Sequence, residues 1–157
     1  MQVSVTVHEQ DFDAADLQRR LVAGCSTIGG IVTFTGYVRR EEGEFIVDSL
    51  FLEHYPGMTQ RSIETIVEEA CERWQLEAAS VVHRVGHLLP GDQIVWVGAA
   101  SRHRGDAFSA CEFIMDYLKT RAPLWKKETG PDGERWVDAR GSDGLRAARW
   151  NRNPGNG

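Results

Sequence analysis

The chain has 157 residues, 41% hydrophobic and 26% charged, with a formal net charge of −5. That length supports one domain with a core large enough to fold unaided. The negative balance excludes a general nucleic-acid binder, yet leaves room for a local basic pocket. No apolar run approaches the ~20 residues that span a bilayer. The N-terminal "MQVSVTVHEQDFD" lacks the basic start and apolar core of a signal peptide. Three scattered cysteines (Cys25, Cys71, Cys111) without a CxxC speak for a reducing cytosol. They speak against a disulfide framework or a structural zinc site.

In chain order, "VSVTVH" alternates and is β-branched, so residues 3–8 read as a strand. A helix follows, capped by Asp11 or Asp13 and ending near Gly24. "GGIVTFTGYVRR" and "FIVDSLFLEHY" are strands, and the short polar "EEGE" between them suits a hairpin. In "PGMTQRSIETIVEEACERW" the apolar residues Ile63, Ile66, Val67, Ala70 and Trp74 recur at helical spacing. "ASVVHRVGHL" and "IVWVGAASR" read as strands around an "LPGDQ" turn. "GDAFSACEFIMDYLKTRA" is a third helix, and two short extended runs follow around "GPDG". The sum is an α+β fold, a mostly antiparallel sheet with packed helices. One domain is expected over residues 1–150, with a tail over 151–157 that carries no core.

Four cations, Lys119, Arg121, Lys126 and Lys127, crowd the stretch "DYLKTRAPLWKKE" of this acidic chain. Wound at about 100° per residue, the third helix gathers Ala107, Phe108, Cys111, Ile114, Met115 and Leu118 on one apolar arc. Lys119 falls at the arc's margin. Its stem lies along buried surface in this reading, either as a snorkelling surface lysine or as a reactive one whose pKa desolvation lowers. Pro123 ends the helix. Beyond it, alternation puts Lys126 and Lys127 on opposite faces, so one of the two points back toward Lys119. "SRHRG" brings His103 and Arg104 to a helix start, where free N–H groups favour anions. "TGYVRR" ends a strand on Arg39 and Arg40, either as an anion grip or as edge-strand charges.

His83 and His87 fall on one face of a strand in this reading, but no nearby Cys, Asp or Glu completes a metal set. Glu53 and His54 precede a Pro-Gly turn and read most plainly as local polar contacts. No GxSxG, Walker, GxGxxG or HExxH pattern is present. The residues alone point to an anion pocket lined by Arg39, His103, Arg104, Lys119, and Lys126 or Lys127.

Five blocks, "IVTFTGYVR", "LEHYPGM", "HRVGHLLPGD", "FIMDYLKTRAPLWKKE" and "RWVDAR", occur in an order that resembles the large, catalytic subunit family of molybdopterin synthase. The likeness runs from about residue 28 to residue 150. It implies an α/β hammerhead with an added antiparallel subdomain. It implies a sulfurtransferase of molybdenum cofactor biosynthesis that converts cyclic pyranopterin monophosphate to the molybdopterin dithiolene. Sulfur would come from the C-terminal Gly-Gly thiocarboxylate of a small ubiquitin-like partner, in a cytoplasmic heterotetramer built on a central dimer of large subunits. No metal or organic cofactor is required.

By the same resemblance, Lys119 and Lys126 are the catalytic pair. Tyr37, Val38, Arg39, His103, Arg104, Lys127 and Glu128 match substrate-contacting positions. Arg140 matches a residue that reaches the neighbouring subunit's pocket. Tyr37 departs from the family pattern, which carries a lysine there, so only a backbone contact is implied at that position. The rival from another class is a non-catalytic adaptor whose cations merely dock an acidic tail or nucleotide.

Overall fold

The computed structural model describes residues 2–137 and 141–151. In chain order the elements begin with β1 (Gln2–His8), α1 (Ala14–Val22), β2 (Gly30–Tyr37), β3 (Glu41–Glu42), β4 (Phe45–Ile46) and β5 (Ser49–His54). There follow α2 (Met58–Arg73), β6 (Leu76–Arg84), β7 (Gly86–Leu88), β8 (Gln93–Ser101) and α3 (Arg104–Arg121). The chain continues through β9 (Leu124–Gly130), β10 (Gly133–Val137), α4 (Gly141–Ala148) and a 3₁₀ turn (Arg149–Asn151). Of the two candidate caps, Asp13 starts α1. Its carboxylate accepts from the N–H groups of Ala15 (3.0 Å) and Asp16 (3.3 Å), a contact typically worth about 1 kcal/mol.

Two four-stranded sheets carry the fold. The first has the order β1-β6-β8-β2, with β1 parallel to β6 and the other pairs antiparallel. One of its faces buries Val81, Val97 and Ala99 against Ile63, Ile66 and Val67 of α2 and Phe113 and Ile114 of α3. The opposite face buries Ala78, Trp96 and Ala100 against Leu21 of α1. The second sheet, β10-β9-β5-β7, is antiparallel throughout. Val38, Leu50, Leu52, Val85 and Leu88 form a small core at the seam, with Val7 and Ile94 of the first sheet packed against it. Among the described residues, no helix is long and apolar enough to cross a membrane.

Tertiary pairing corrects four expectations. The strand expected over 79–88 breaks at Gly86 (φ +84°), which a side chain would strain. Its two halves join different sheets, so His83 is buried while exposed His87 meets the Phe51 ring at a tilt of 53°, centroids 4.8 Å apart. The "EEGE" turn exists, with Gly43 at φ +63°, but it closes only the two-residue ribbon β3–β4. The strands on either side of that ribbon go to separate sheets.

Phe108, placed on the buried arc by periodicity, is 60% exposed. The helix packs on β2, β8, α2 and α4 at once, so a single apolar arc does not describe it. Finally, α4 had no counterpart in the sequence pattern. Its opening carries two glycines, and partners on α3 hold it in place. Buried Asp116 accepts from Arg149 (2.8 Å), Arg146 (3.3 Å) and the Trp150 indole (2.7 Å).

Candidate active site

Three chain segments meet at the seam between the sheets. At the end of β2 the register shifts between Gly36 and Tyr37, an irregularity that re-aims the side chains after it. The Pro-Gly-Asp turn then pins this corner. The Val38 N–H donates to the Asp92 carbonyl (2.9 Å), and the Gly91 N–H donates to the Val38 carbonyl (2.8 Å). At the end of α3, Pro123 forces Ala122 into an extended conformation (φ −75°, ψ 130°), so the helix stops just past Lys119. The Pro123 carbonyl is held by the Thr59 hydroxyl of α2 at 2.9 Å. Beyond it β9 alternates. Lys126 and Glu128 face inward, while the Lys127 ammonium turns outward to Glu134 (2.9 Å) and the Trp136 ring (5.9 Å).

These segments enclose a cavity of about 230 Å³. Tyr37, Arg39, Glu42, Lys119, Lys126 and Glu128 give its polar wall, and Val38, Val47, Leu50 and Ile94 its apolar floor. Sequence reasoning had left open which of the two adjacent lysines points in; the strand resolves it in favour of Lys126. Lys119 also stands on the wall of a second, apolar cleft of about 500 Å³ that includes Phe34, Phe108 and Met115.

The pocket is not a plain ring of cations. Arg39 binds Glu42 at 2.7 Å. Glu128, 1% exposed, lies 3.1 Å from Arg135 and 3.8 Å from the Lys126 ammonium. Its Oε1 accepts no hydrogen bond from the described residues. A carboxylate that deep is tolerable because two cations flank it. Carboxylates are thus interleaved with the cations, Glu42 paired with Arg39 and Glu128 within ion-pair distance of Lys126. Glu42, Val47, Leu50 and Ile94 were missed from sequence. The only hint for Glu42 was its place in the short turn that folds over the β2 corner.

His103 and Arg104 do not line this cavity in their own chain. They begin α3 and Lys119 nearly ends it, about 23 Å apart at 1.5 Å per residue. Both are exposed, and the His103 side chain makes no capping bond. Lys127, expected at the substrate, is on the outer face as described. Arg140 lies outside the described residues. Among the described residues, no group of three or more His, Cys, Asp or Glu is placed to hold a metal.

His83, at the end of β6, is a further buried titratable group. Burial, with smaller contributions from the charges of Lys119 and His54, lowers its pKa from 6.5 to about 4, against a bond to the Arg84 carbonyl that favours the charged form. The folded chain therefore keeps it neutral while the unfolded chain protonates it near pH 6.5. That stabilisation is complete above pH 6.5 and is lost as pH falls toward 4. It amounts to roughly 3 kcal/mol. Urea unfolding at pH 7.5 and pH 4.5 should show such a loss, and His83→Gln should flatten it. An equally steep profile in the variant would contradict the assignment. Burial also pushes the Cys111 thiol up to about 12, which leaves it inert as a nucleophile or sulfur carrier.

The model of the MoaE protein family matches residues 7–121, a span that holds the β2 corner and Lys119. The chain belongs to the MoaE protein family. It is 52% identical over 146 residues to the molybdopterin synthase catalytic subunit of Vibrio cholerae, covering 93% of this chain and 97% of that one. Among solved structures, the molybdopterin biosynthesis MoaE protein from Burkholderia ambifaria superposes with a TM-score of 0.82 at 50% identity. That match takes in 98% of this chain and all of the other, and so extends over β9 with Lys126 and Glu128. Molybdopterin synthase from Staphylococcus aureus gives a TM-score of 0.78 at 30% identity, covering 84% of this chain and 95% of that one. The α+β class expected from sequence is thus the fold of the MoaE family.

Proposed function

We propose that this chain is the catalytic subunit of a cytoplasmic molybdopterin synthase. It transfers sulfur from the thiocarboxylate of a small ubiquitin-like partner to cyclic pyranopterin monophosphate, giving the molybdopterin dithiolene. The observation that carries this reading is the meeting of Lys119, Lys126 and Arg39, from three separate segments, around one cavity. The Vibrio cholerae relative is named as the catalytic subunit of molybdopterin synthase, which agrees with this reading. A slender Gly-Gly terminus is the form of donor a cavity of this size admits.

Both reactants are anionic, so cations must bring them together against their mutual repulsion. At each of the two side-chain carbons that take sulfur, attack of a thiocarboxylate sulfur breaks a carbon–oxygen bond, releasing water or the ring oxygen of the cyclic phosphate, and joins donor and substrate through a thioester. Water then cleaves that thioester, leaving sulfur on the pterin and a carboxylate on the spent tail. Negative charge grows on oxygen in each step. Lys119 stabilises it beside the thiocarboxylate, and Lys126 holds the phosphate or helps open its ring. Arg39 grips the pterin phosphate, with the Tyr37–Val38 backbone alongside. Glu128 contributes by fixing Lys126.

His103 and Arg104 complete the phosphate site from a second copy of the chain, because the length of α3 keeps them from their own pocket. Arg140 is assigned to the same neighbour-facing role. Lys127 supports the outer face of β9 through Glu134 and the Trp136 ring.

Lys119→Arg separates catalysis from docking. It keeps the charge but changes the donor's shape and its capacity for proton transfer. Binding of the partner tail should stay within about threefold, while dithiolene formation falls at least about tenfold. A purified variant that turns over at the wild-type rate would instead favour a docking role for the cation. The assay uses a separately prepared small partner ending in a Gly-Gly thiocarboxylate.

A further inference from the structure

Arg135 has no part in the chemistry above, yet it touches the carboxylate beside Lys126. It stands directly opposite Glu128 in the β9–β10 pair. Lys126 and Glu128, two residues apart on β9, share the inward face. The contacts then run in one line. Arg135 donates from Nε (3.4 Å) and Nη2 (3.1 Å), both to Oε2 of Glu128. The other oxygen, Oε1, lies 3.8 Å from the Lys126 ammonium. That is an ion pair held short of a hydrogen bond, which closes to about 2.7–2.9 Å between an ammonium and a carboxylate.

The guanidinium is itself held. Its Cζ sits 4.2 Å from the centroid of the Phe45 ring on β4, a contact that the planar group of arginine favours. The ribbon that bears Phe45 rests on the end of β9. A side chain at Gly130 would run into the Ile46 carbonyl. Just past the ribbon, the Asp48 N–H donates to the Thr129 carbonyl at 2.8 Å.

We propose that Arg135 is a positioning residue for Lys126: from across the strand pair it holds one oxygen of Glu128, and so keeps that buried carboxylate from closing on the lysine. Glu128 is 1% exposed, and a carboxylate that deep needs cationic partners. Without Arg135 it would turn its whole charge on Lys126, 3.8 Å away. A direct pair would draw the ammonium to the wall and cancel charge that an anionic substrate needs. Arginine suits the task because its charge persists at every working pH. The other charged groups that line the cavity are Arg39, Glu42 and Lys119.

The kinetic part of this inference rests on the sulfur-transfer reading, so the first test does not use activity. Competitive acetylation of the full-length chain from about pH 6 to 11 gives the titration of Lys126. Peptide fragmentation in the mass spectrometer separates it from Lys127. In Arg135→Gln the Lys126 midpoint should rise by about half a pH unit or more, while that of Lys119 stays put. Arg135→Lys keeps a cation on Glu128, so its midpoint should stay near the wild-type value. Adding Glu128→Gln to Arg135→Gln removes the carboxylate and should undo the rise. In the sulfur-transfer assay, Arg135→Gln should lower kcat/KM for the cyclic pterin about tenfold, and Arg135→Lys should recover most of it.

An unchanged Lys126 titration in Arg135→Gln overturns the proposal, even where Tm falls, because a merely structural ion pair would behave so. A rise that persists in the double variant overturns it as well. If Arg135→Gln does not fold, Arg135→Met, which keeps an apolar stem on Phe45, takes its place with the same expected results. A wild-type chain without sulfur-transfer activity defeats the functional reading alone, and the acetylation result still decides the role of Arg135.

Discussion

Lys119→Ala is expected to slow dithiolene formation by on the order of 10²–10³ while leaving the chain folded. The two halves of that expectation have different sources. Lys119 is exposed at the rim of the cavity, so truncating it opens no void in the core. Surface truncations of this kind usually change stability by less than about 0.5 kcal/mol. The rate effect is large because the ammonium faces charge that grows only as the thioester forms and breaks. Such a group contributes to the transition state more than to binding. Single-turnover conversion with a preloaded partner, beside thermal unfolding of the same sample, checks both halves. Turnover within about threefold of wild type would remove Lys119 from the mechanism, and a large fall in Tm would recast it as a structural residue.

The second large effect concerns two copies of the chain. Lys119→Ala and Arg104→Ala should each be nearly inactive alone, yet co-expressed they should recover about one quarter of wild-type activity. If each pocket takes Lys119 from one chain and Arg104 from its neighbour, a mixed dimer holds one doubly damaged site and one intact site. Random pairing makes half of the dimers mixed, hence about a quarter of all sites. If Arg104 served its own chain's pocket, every site in every dimer would carry a lesion and nothing would return. The roughly 23 Å between the ends of α3 makes the first outcome the expected one. Recovery is measured on the whole co-expressed population, and mixed dimers purified through two different affinity tags should reach about one half.

Much of the fold was legible because its signals are local. Asp13 before α1, the Ile63–Ile66–Val67–Ala70 stripe of α2 and the Pro123 stop of α3 each act through residues within a few positions. What failed were pairings. The break at Gly86 and the separation of β2 from β5 depend on which distant strand offers a partner. The helix α4 depends on Asp116 thirty residues earlier. Phe108 looked buried because the periodicity of one helix cannot report that neighbours surround it.

At the site, residue types and local geometry were determined by the sequence alone. A helix had to end near Lys119, and an extended run after Pro123 had to divide Lys126 from Lys127. Tertiary structure decided which lysine faced the cavity. It supplied Glu42 and Glu128 as the surroundings of the cations, and it carried His103 and Arg104 away to the far end of α3. The physical reason is range. Helix stops and strand alternation are set by neighbouring backbone dihedrals. The shape and charge of a pocket are set by segments that meet only after the whole chain has packed.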